Sequence, residues 1–333
     1  MNKTKIVVLR GLLVLVILSG GLFLIEFIGK KGFDLGDSIV YEHSYTWGYS
    51  LRPNGSYKRF GGDKVTINDV GLRSVQDWNK DSSNKILFWG DSVTYGGSYI
   101  DDNSTFVAHA CKDIEGWSGY NGGVNAYGVL NMILRSRYDM RPQGAKMTVF
   151  TFITGDFDRG IQSSKISDYR MRKPPQWFPA IWEALTYIGQ RYSLVKLFFE
   201  SNDGYQSFNK EKDRYNAIDF GLMNLEIEVK RLESEGQIVL IVHSPNVENS
   251  ADGVKRVRNS NFDLYCQKQA SKKFGDRFIS LFDTIESAIV NQPNLYKDNC
   301  HYYEPGHLLV GQKLNEEIKK RINLKDNFGK FAE

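Results

Sequence analysis

From residue 85 onward, short apolar runs alternate with longer amphipathic segments. The strand-like runs cover residues 85–89, 147–154, 237–243 and 277–282. The helix-like segments cover residues 105–114, 129–137, 218–235, 252–273 and 308–322. Strands that alternate with helices of this length form βαβ units, in which a mostly parallel sheet is covered by helices on both faces. The pattern therefore predicts an α/β protein whose strands end at a common edge, where ligands bind in such sheets.

The chain begins with an apolar segment of membrane-spanning length. Residues 6–28 are interrupted only by Arg10 and Glu26, and about 20 mostly apolar residues span a bilayer. We interpret residues 1–29 as an uncleaved anchor. A cleavable signal peptide ending near residues 19–21, which would release a secreted protein, and a buried helix of a soluble protein are the alternatives. The excess of basic residues before the segment predicts a single-pass protein of the inner membrane with a periplasmic main domain.

Composition argues against several classes of function. The net charge of +4 is spread among 43 basic and 39 acidic residues without a long basic block, so nucleic-acid binding has little support. The chain has three cysteines, Cys111, Cys266 and Cys300. This small and odd number argues against a disulfide framework, although one pair could form. No spacing of cysteine or histidine indicates a metal site, and no cofactor is predicted.

The remaining chain divides into an extension, a main domain and a tail. Residues 30–81 are rich in Gly, Tyr and Asn and predict a small β-rich extension packed on a main domain at 82–322, with a tail at 323–333. The main domain has an insertion at about 157–211, which we interpret either as an active-site lid or as a packing subdomain. Aromatic clusters at 41–49 and 177–178 either belong to the core or stack on sugar rings.

Three residues can supply a serine nucleophile with its base. Ser92 follows the first strand-like run, in a glycine-flanked turn that would expose its hydroxyl. Asp298 and His301 are three residues apart, so both side chains can lie on one side of a turn. A hydroxyl needs a positioned base, and the base works best when a carboxylate fixes its tautomer. Gly-Asp-Ser alone is equally consistent with a plain turn. The presence of Asp298 and His301 in the same chain favours the catalytic interpretation.

The order of the sequence blocks resembles that of the GDSL or SGNH hydrolase family. The blocks are Gly90-Asp91-Ser92, residues 121–128 and Asp298-Asn299-Cys300-His301, and the likeness covers about residues 85–320. The extension, with Asn68, Gly71 and Arg73, is similar to the region that precedes the serine block in envelope-associated members. The resemblance implies a three-layer α/β/α, flavodoxin-like fold and metal-free ester hydrolysis or acyl transfer. It also implies Ser92 as nucleophile, His301 as base and Asp298 as orienter.

Two blocks depart from the family pattern in the residues that would donate hydrogen bonds to the oxyanion of the reaction intermediate. The backbone N–H of Ser92 is one expected oxyanion donor, and Ala126 replaces the family's glycine as the other, which keeps the main-chain donor. The family's Gly-x-Asn-Asp block has no asparagine here, because Gly155 or Asp156 takes its place depending on register. Losing one such donor typically costs about 10²–10³ in rate. Asn125 or Asn121 could substitute for it, as could a protonated Asp156.

These observations lead to a functional expectation with two alternatives. The expected activity is that of a serine esterase that removes O-acyl groups, with O-acetyl favoured, from a cell-envelope or secreted polysaccharide. Arg159 and Trp177 are candidate substrate contacts, although Arg159 could instead neutralise Asp156. The expected partners are an acylated carbohydrate and the membrane, through residues 6–28, with no nucleic acid. The alternatives are an O-acyltransferase acting on a glycan and a catalytically weak glycan-binding or assembly protein of the same fold.

Overall fold

The centre of the protein is a sheet of five parallel strands. The structure, a computed structural model, describes residues 3–37, 39–58, 64–81, 83–162, 175–191, 211–250 and 255–329. The strands of the sheet are β5 (Asn84–Gly90), β6 (Trp117–Asn121), β7 (Met147–Phe152), β8 (Ile238–His243) and β11 (Phe278–Ser280). They lie in the order β11-β8-β7-β5-β6, and each neighbouring pair is parallel. The predicted parallel sheet is confirmed.

Helices cover both faces of this sheet. One layer contains α4 (Val129–Tyr138), α6 (Glu211–Ser234) and α7 (Asn261–Phe274), and the other contains α3 (Phe106–Cys111), α8 (Phe282–Ile289) and α9 (Glu304–Gly329). Successive strand residues point to opposite faces. In β7, for example, Val149 joins the core beneath α3, α8 and α9, while Phe150 joins the core beneath the other layer. The fold is therefore the expected three-layer α/β/α arrangement.

Some predicted boundaries are wrong. Helix α7 begins only at Asn261, and the first part of the segment predicted as a helix from residue 252 contains β10 (Lys255–Val257), which pairs with β9 (Val247–Asn249). Ser260 fixes the start of α7, because its Oγ accepts the N–H of Asp263 and the Asp263 carboxylate accepts the N–H of Ser260. Strand β11 ends at Ser280, and the predicted tail from residue 323 is helical as far as Gly329.

The extension packs on the edge of the sheet. It contains two antiparallel pairs, formed by β1 (Tyr41–Ser44) with β2 (Gly48–Leu51) and by β3 (Gly55–Lys58) with β4 (Lys64–Ile67). Beyond β4, the backbone of Arg73 bridges to Ile67 and to Asn121 at the end of β6. This contact pairs backbone groups of an edge strand that would otherwise be open to other chains. The extension also shares one continuous core with the sheet.

The N-terminal segment is a single long helix, α1 (Lys3–Phe33). Among the described residues, Thr4–Phe33 is the one helix that is long and apolar enough to cross a membrane, and its apolar window is exposed. The part of the insertion that the structure describes contains α5 (Pro179–Arg191), which packs against α1. Residues 163–174 and 192–210 lie outside the described residues, and so does most of the Pro-rich basic stretch at 170–175.

Candidate active site

Ser92 stands at the carboxyl end of β5, the strand between β7 and the edge strand β6. The chain leaves β5 at Gly90 and enters a single helical turn, α2 (Ser92–Tyr95). Asp91 caps this turn, because its Oδ1 accepts the N–H of Val93 at 2.8 Å. The turn therefore places the Ser92 hydroxyl at the sheet edge where parallel α/β proteins bind ligands.

The three predicted triad residues lie in one hydrogen-bonded chain. Ser92 Oγ is 2.8 Å from His301 Nε2, although the two residues are 209 positions apart in sequence. His301 Nδ1 is 2.8 Å from Asp298 Oδ2. A carboxylate accepts a hydrogen bond from Nδ1–H, which leaves Nε2 without a proton and able to accept a hydrogen bond from the serine hydroxyl. The network thus assigns the tautomer that a general base needs.

Asp298 is held in its ionised form. Its partial burial raises the pKa, but the backbone N–H groups of Cys300 and His301 and the imidazole of His301 outweigh this effect and hold the pKa of the carboxyl below its ordinary value. Both backbone donors lie 2.9 Å from Oδ1, so Oδ2 remains for the imidazole. Asp298 is therefore a carboxylate at neutral pH, and its Oδ2 can accept the Nδ1–H of His301.

The loop that carries Asp298 and His301 is tied to the end of β8. Tyr296 donates its hydroxyl to the carbonyl of Pro245 at 2.9 Å. The hydroxyls of Tyr302 and Ser244 are 2.6 Å apart. These bonds flank the triad residues on both sides, so the loop is fixed to the same sheet that positions Ser92.

The loop after β6, residues 121–128, lies against the nucleophile turn. The side-chain amide of Asn121 donates to the carbonyl of Thr94 at 2.7 Å. A Cβ added at Gly123 would approach the backbone nitrogen of Tyr95 to 2.3 Å, so only glycine permits this contact. Asn121 is therefore a structural link between the two segments, and its amide is not the substitute oxyanion donor.

Ala126 has a left-handed backbone conformation, with φ of +64°. In the described part of the chain, the backbone N–H groups of Ala126 and Ser92 donate to no other protein group. Both are therefore available to a developing oxyanion. The side chain of Asn125 turns away to the extension, where its amide donates to the Tyr41 hydroxyl at 2.9 Å.

Tyr49 is a site residue that the sequence did not indicate. Its hydroxyl donates to the carbonyl of Asn125 at 2.6 Å. That carbonyl and the N–H of Ala126 belong to the same peptide unit, so the bond fixes the orientation of the expected oxyanion donor. Tyr41 and Tyr49 are buried and their rings meet edge to face, with centroids 5.5 Å apart, which places these two members of the aromatic cluster at 41–49 in the core, whereas Tyr45 is exposed. The contact joins residues 76 positions apart, and no local pattern marks it.

Arg73 is a second contribution of the extension to the site. Its Nη1 donates to the carbonyls of Tyr95 and Gly97, both at 2.7 Å, and its Nη2 donates to the carbonyl of Ile100. Its Nε is 2.9 Å from the carboxylate of Asp102. The buried guanidinium therefore fixes the segment that follows the nucleophile turn.

Asp156 is buried in an internal ion pair. Its Oδ2 accepts the N–H of Ile153 at 3.1 Å, and its Oδ1 accepts from Arg159 at 2.6 Å. Burial and the neighbouring Asp91 carboxylate raise the pKa of Asp156, while Arg159 opposes the rise. Because both oxygens are occupied by protein donors, Asp156 is not directed at an oxyanion.

Arg159 neutralises this acidic pair. The same Nη1 also lies 3.2 Å from Asp91 Oδ2 and 2.9 Å from the carbonyl of Tyr127. Arg159 thus links Asp91, the loop at residues 121–128 and the turn after β7. Its Nη1 serves the protein's own acceptors, which favours the neutralising role over contact with an anionic substrate.

Gly155 leaves space at the turn after β7. Apart from its chain neighbours, the one heavy atom of the described residues within 4 Å of a Cβ added there is Ile153 Cδ1, at 4.0 Å. Because Asp156 is committed to Arg159 and Ile153, the register that aligns Gly155 with the family's asparagine fits the structure better. The backbone N–H groups of Ser92 and Ala126 are then the oxyanion donors that we expect here, and Gly155 adds no side-chain donor.

Trp177 is not part of this constellation. It is exposed and lies directly before α5, the helix that packs against α1, while its neighbour Phe178 contacts Phe23 of α1 with ring centroids 5.3 Å apart. The structure therefore places this aromatic pair beside the N-terminal helix and not among the loops that carry the triad.

Asp298, His301 and the neighbouring Cys300 form a cluster with atoms of the kinds that bind metals, but two of these residues already bond to each other. Donor atoms of Asp298, Cys300 and His301 lie within 4.8 Å of one another. His301 Nδ1 is committed to Asp298, and burial raises the pKa of the Cys300 thiol, which keeps it protonated. The three cysteines of the chain are all free thiols.

Several solved structures are similar to this chain at low sequence identity. No protein-family model matches the chain, and no curated protein matches it significantly. Similar solved structures include a lipase/acylhydrolase from Enterococcus faecalis, with 15% identity, a TM-score of 0.45 and coverage of 72% of this chain and 96% of that chain. A lipolytic G-D-S-L family member from Veillonella parvula has 13% identity, a TM-score of 0.40 and coverage of 70% and 97%. Axe2, an acetylxylan esterase from Geobacillus stearothermophilus, has 16% identity, a TM-score of 0.42 and coverage of 71% and 94%.

Proposed function

We propose that the protein is a serine esterase of the GDSL or SGNH type that works through Ser92, His301 and Asp298. The observation that carries the proposal is the unbroken hydrogen-bonded chain from Ser92 Oγ through His301 to Asp298, with 2.8 Å at each link. A plain turn needs neither an imidazole on its serine nor a carboxylate behind the imidazole. The arrangement supplies the activated hydroxyl that acyl transfer from an ester requires.

In the proposed reaction, His301 Nε2 removes the proton of Ser92 as Oγ attacks the ester carbonyl. The backbone N–H groups of Ser92 and Ala126 donate to the oxyanion of the tetrahedral intermediate. The intermediate collapses as the bond to the alcohol oxygen breaks, and His301 gives its proton to that oxygen. Water, deprotonated by His301, then attacks the acyl-enzyme and releases the carboxylic acid and Ser92.

The exposure of the site favours hydrolysis over transfer to a second sugar. The side chains of His301 and Asp298 are 29% and 46% exposed. A transferase needs a site that keeps water from the acyl-enzyme, because water competes with the acceptor hydroxyl. The open base side of this site therefore supports the hydrolase as the first candidate.

For the substrate, we propose an O-acetyl group on a cell-envelope or secreted polysaccharide. Support comes from α1, which we propose remains in the inner membrane and holds the catalytic domain on its outer side, beside such polymers. Phe23 contacts Phe178, just before α5, and Glu26 accepts the N–H of Ala180 in α5. Both residues of α1 lie after the small residues at 19–21 where a signal peptidase would cut. A helix that contributes packing contacts to the folded domain is better suited to an anchor than to a discarded signal.

The proposal is tested with purified full-length protein. We expect acetate release from an acetylated model ester and covalent labelling by a fluorophosphonate probe. Both should be lost in Ser92→Ala and retained in Ser56→Ala, a matched change at an exposed serine of β3. Equal acetate release by wild type and Ser92→Ala would disprove the mechanism. An absence of labelling in folded protein would favour a binding protein, and acetylated glycan formed in place of free acetate would favour a transferase.

A further inference from the structure

Helix α5 exposes an apolar face. Trp182, Leu185 and Ile188 follow one another at three-residue intervals, which places them on one side of the helix, and they are 41%, 62% and 46% exposed. Trp177, just before the helix, is 79% exposed. Four large apolar side chains on a single short segment form a surface that is unfavourable in water.

The opposite side of α5 is fixed to α1. The carboxylate of Glu26 accepts the N–H groups of Ala180 and Ile181, each at 3.0 Å, and so caps the start of α5 from another helix. The carboxylate of Glu183 in α5 accepts the N–H of Gly36 at 2.7 Å. A Cβ added at Gly29 would lie 3.0 Å from the Cβ of Ala180, which shows how closely the two helices approach.

The position of this contact along α1 determines the environment of α5. The twenty residues from 6 to 25 rise about 30 Å as a helix, which matches the hydrocarbon thickness of a bilayer. Glu26 is the next residue, and it pairs with Lys30 at 3.2 Å. If residues 6–25 cross the membrane, Glu26 and the start of α5 lie at the level where hydrocarbon gives way to lipid headgroups.

We propose that α5 is an interfacial helix that rests its Trp177, Trp182, Leu185 and Ile188 side chains in the headgroup region of the membrane that α1 crosses. This inference rests on the proposed anchoring of α1. Two exposed tryptophans beside this contact fit the preference of Trp for the membrane interface, and the start of α5 is held at Glu26, where the apolar stretch of α1 ends. The assignment gives Trp177 to lipid and not to substrate.

The proposed contact has a consequence for the catalytic domain. A single spanning helix would leave the domain free to tilt about its point of attachment. A second attachment through α5 restricts that tilt and holds the mouth of the Ser92 site in one orientation relative to the membrane surface.

Quenching of tryptophan fluorescence by brominated lipid tests the proposal. The full chain is reconstituted at one copy per nanodisc in phosphatidylcholine, either unmodified or brominated near the top of the acyl chain. The chain has six tryptophans, and we expect bromine to quench two of them. The double variant Trp177→Phe/Trp182→Phe, which keeps the face apolar, should lose the quenching. The matched double variant Trp47→Phe/Trp117→Phe should retain it, because these residues lie in the extension and at the start of β6.

Each outcome decides the proposal. Unchanged emission of the wild type in brominated lipid, or equal quenching in both double variants, overturns it. Quenching that requires two copies per disc would indicate that a second chain covers the face, and this also overturns it. Extraction of membranes with alkaline carbonate tests the anchoring of α1 separately from the interfacial position of α5. Release of the chain by carbonate would disprove the anchor as well as the interfacial helix. A retained chain without quenching would disprove only the interfacial role of α5.

Discussion

The two sides of the candidate site are built in different ways. On the attacking side, Ser92, His301 and Asp298 form one chain of side-chain hydrogen bonds with no missing member. On the oxyanion side, Ala126 has a left-handed backbone, Asp156 is committed to Arg159, and Gly155 has no side chain to offer. In the proposed mechanism, the groups needed for attack are therefore all present, while stabilisation of the oxyanion would depend on two backbone N–H groups and on the residues that orient them.

The largest effect should follow from a change on the attacking side. We expect Asp298→Asn to lower kcat by about 10³–10⁴ with little change in KM, because an asparagine amide no longer fixes the His301 tautomer with a proton on Nδ1. Steady-state kinetics on a model acetyl ester measure the change. Asp283→Asn, at an exposed position in the first turn of α8, is the matched control and should keep full activity. A loss below tenfold for Asp298→Asn would show that Asp298 does not orient the base.

Adding a donor on the oxyanion side should have the next largest effect. Gly155→Asn places an amide in the open space after β7, and we expect kcat/KM to rise by about 10–100-fold. Asp156→Asn is the matched variant at the other register. It should give no gain and should lower the free energy of unfolding by about 1–3 kcal/mol, because it weakens a buried charged contact with Arg159. A gain from Asp156→Asn with none from Gly155→Asn would reverse the register.

The same contrast explains what the sequence could predict. Strands β5, β7 and β8 are buried on both faces and are therefore continuous apolar runs, which made the parallel sheet visible. Ser92, Asp298 and His301 follow strands or share a short turn, so their spacing was informative. Strand β6 contains Ser118 and Gly119 and has no such run.

The oxyanion side depends on contacts that leave no mark in local sequence. Tyr49 reaches Asn125 across 76 positions, and the commitment of Asp156 depends on Arg159 lying between two carboxylates. Composition could not distinguish a core tyrosine from one that binds a sugar. These roles follow from the packing of the extension on the loop after β6, which no periodicity predicts.

Tyr49 offers a way to separate orientation of the oxyanion donor from its presence. We expect Tyr49→Phe to lower kcat by about tenfold, since the 125–126 peptide loses a hydrogen bond of about 1–1.5 kcal/mol and with it a fixed orientation. Affinity for a boronic acid that forms a tetrahedral adduct with Ser92 should fall by the same factor, while KM changes little.

Tyr41→Phe is the matched control for this position. The Tyr41 hydroxyl accepts a hydrogen bond from the side chain of Asn125 and not from the 125–126 peptide unit. Removal of this hydroxyl should therefore leave kcat nearly unchanged. A merely structural role of Tyr49 would lower the free energy of unfolding without a selective loss of affinity for the boronic acid. Equal effects of the two variants would therefore show that Tyr49 does not position the Ala126 N–H.

The smallest expected effect concerns the backbone of Ala126. A left-handed conformation costs a non-glycine residue of order 1–3 kcal/mol, and glycine removes this strain while it adds about 0.4–1 kcal/mol of unfolded-state entropy. We therefore expect Ala126→Gly to raise the free energy of unfolding by about 1 kcal/mol in urea denaturation and to keep kcat/KM nearly unchanged, because the N–H donor is retained. Ala108→Gly, within helix α3, should instead lower it by about 0.5–1 kcal/mol. If both variants lower the free energy of unfolding equally, Ala126 is not strained. The position of its N–H would then carry no conformational cost.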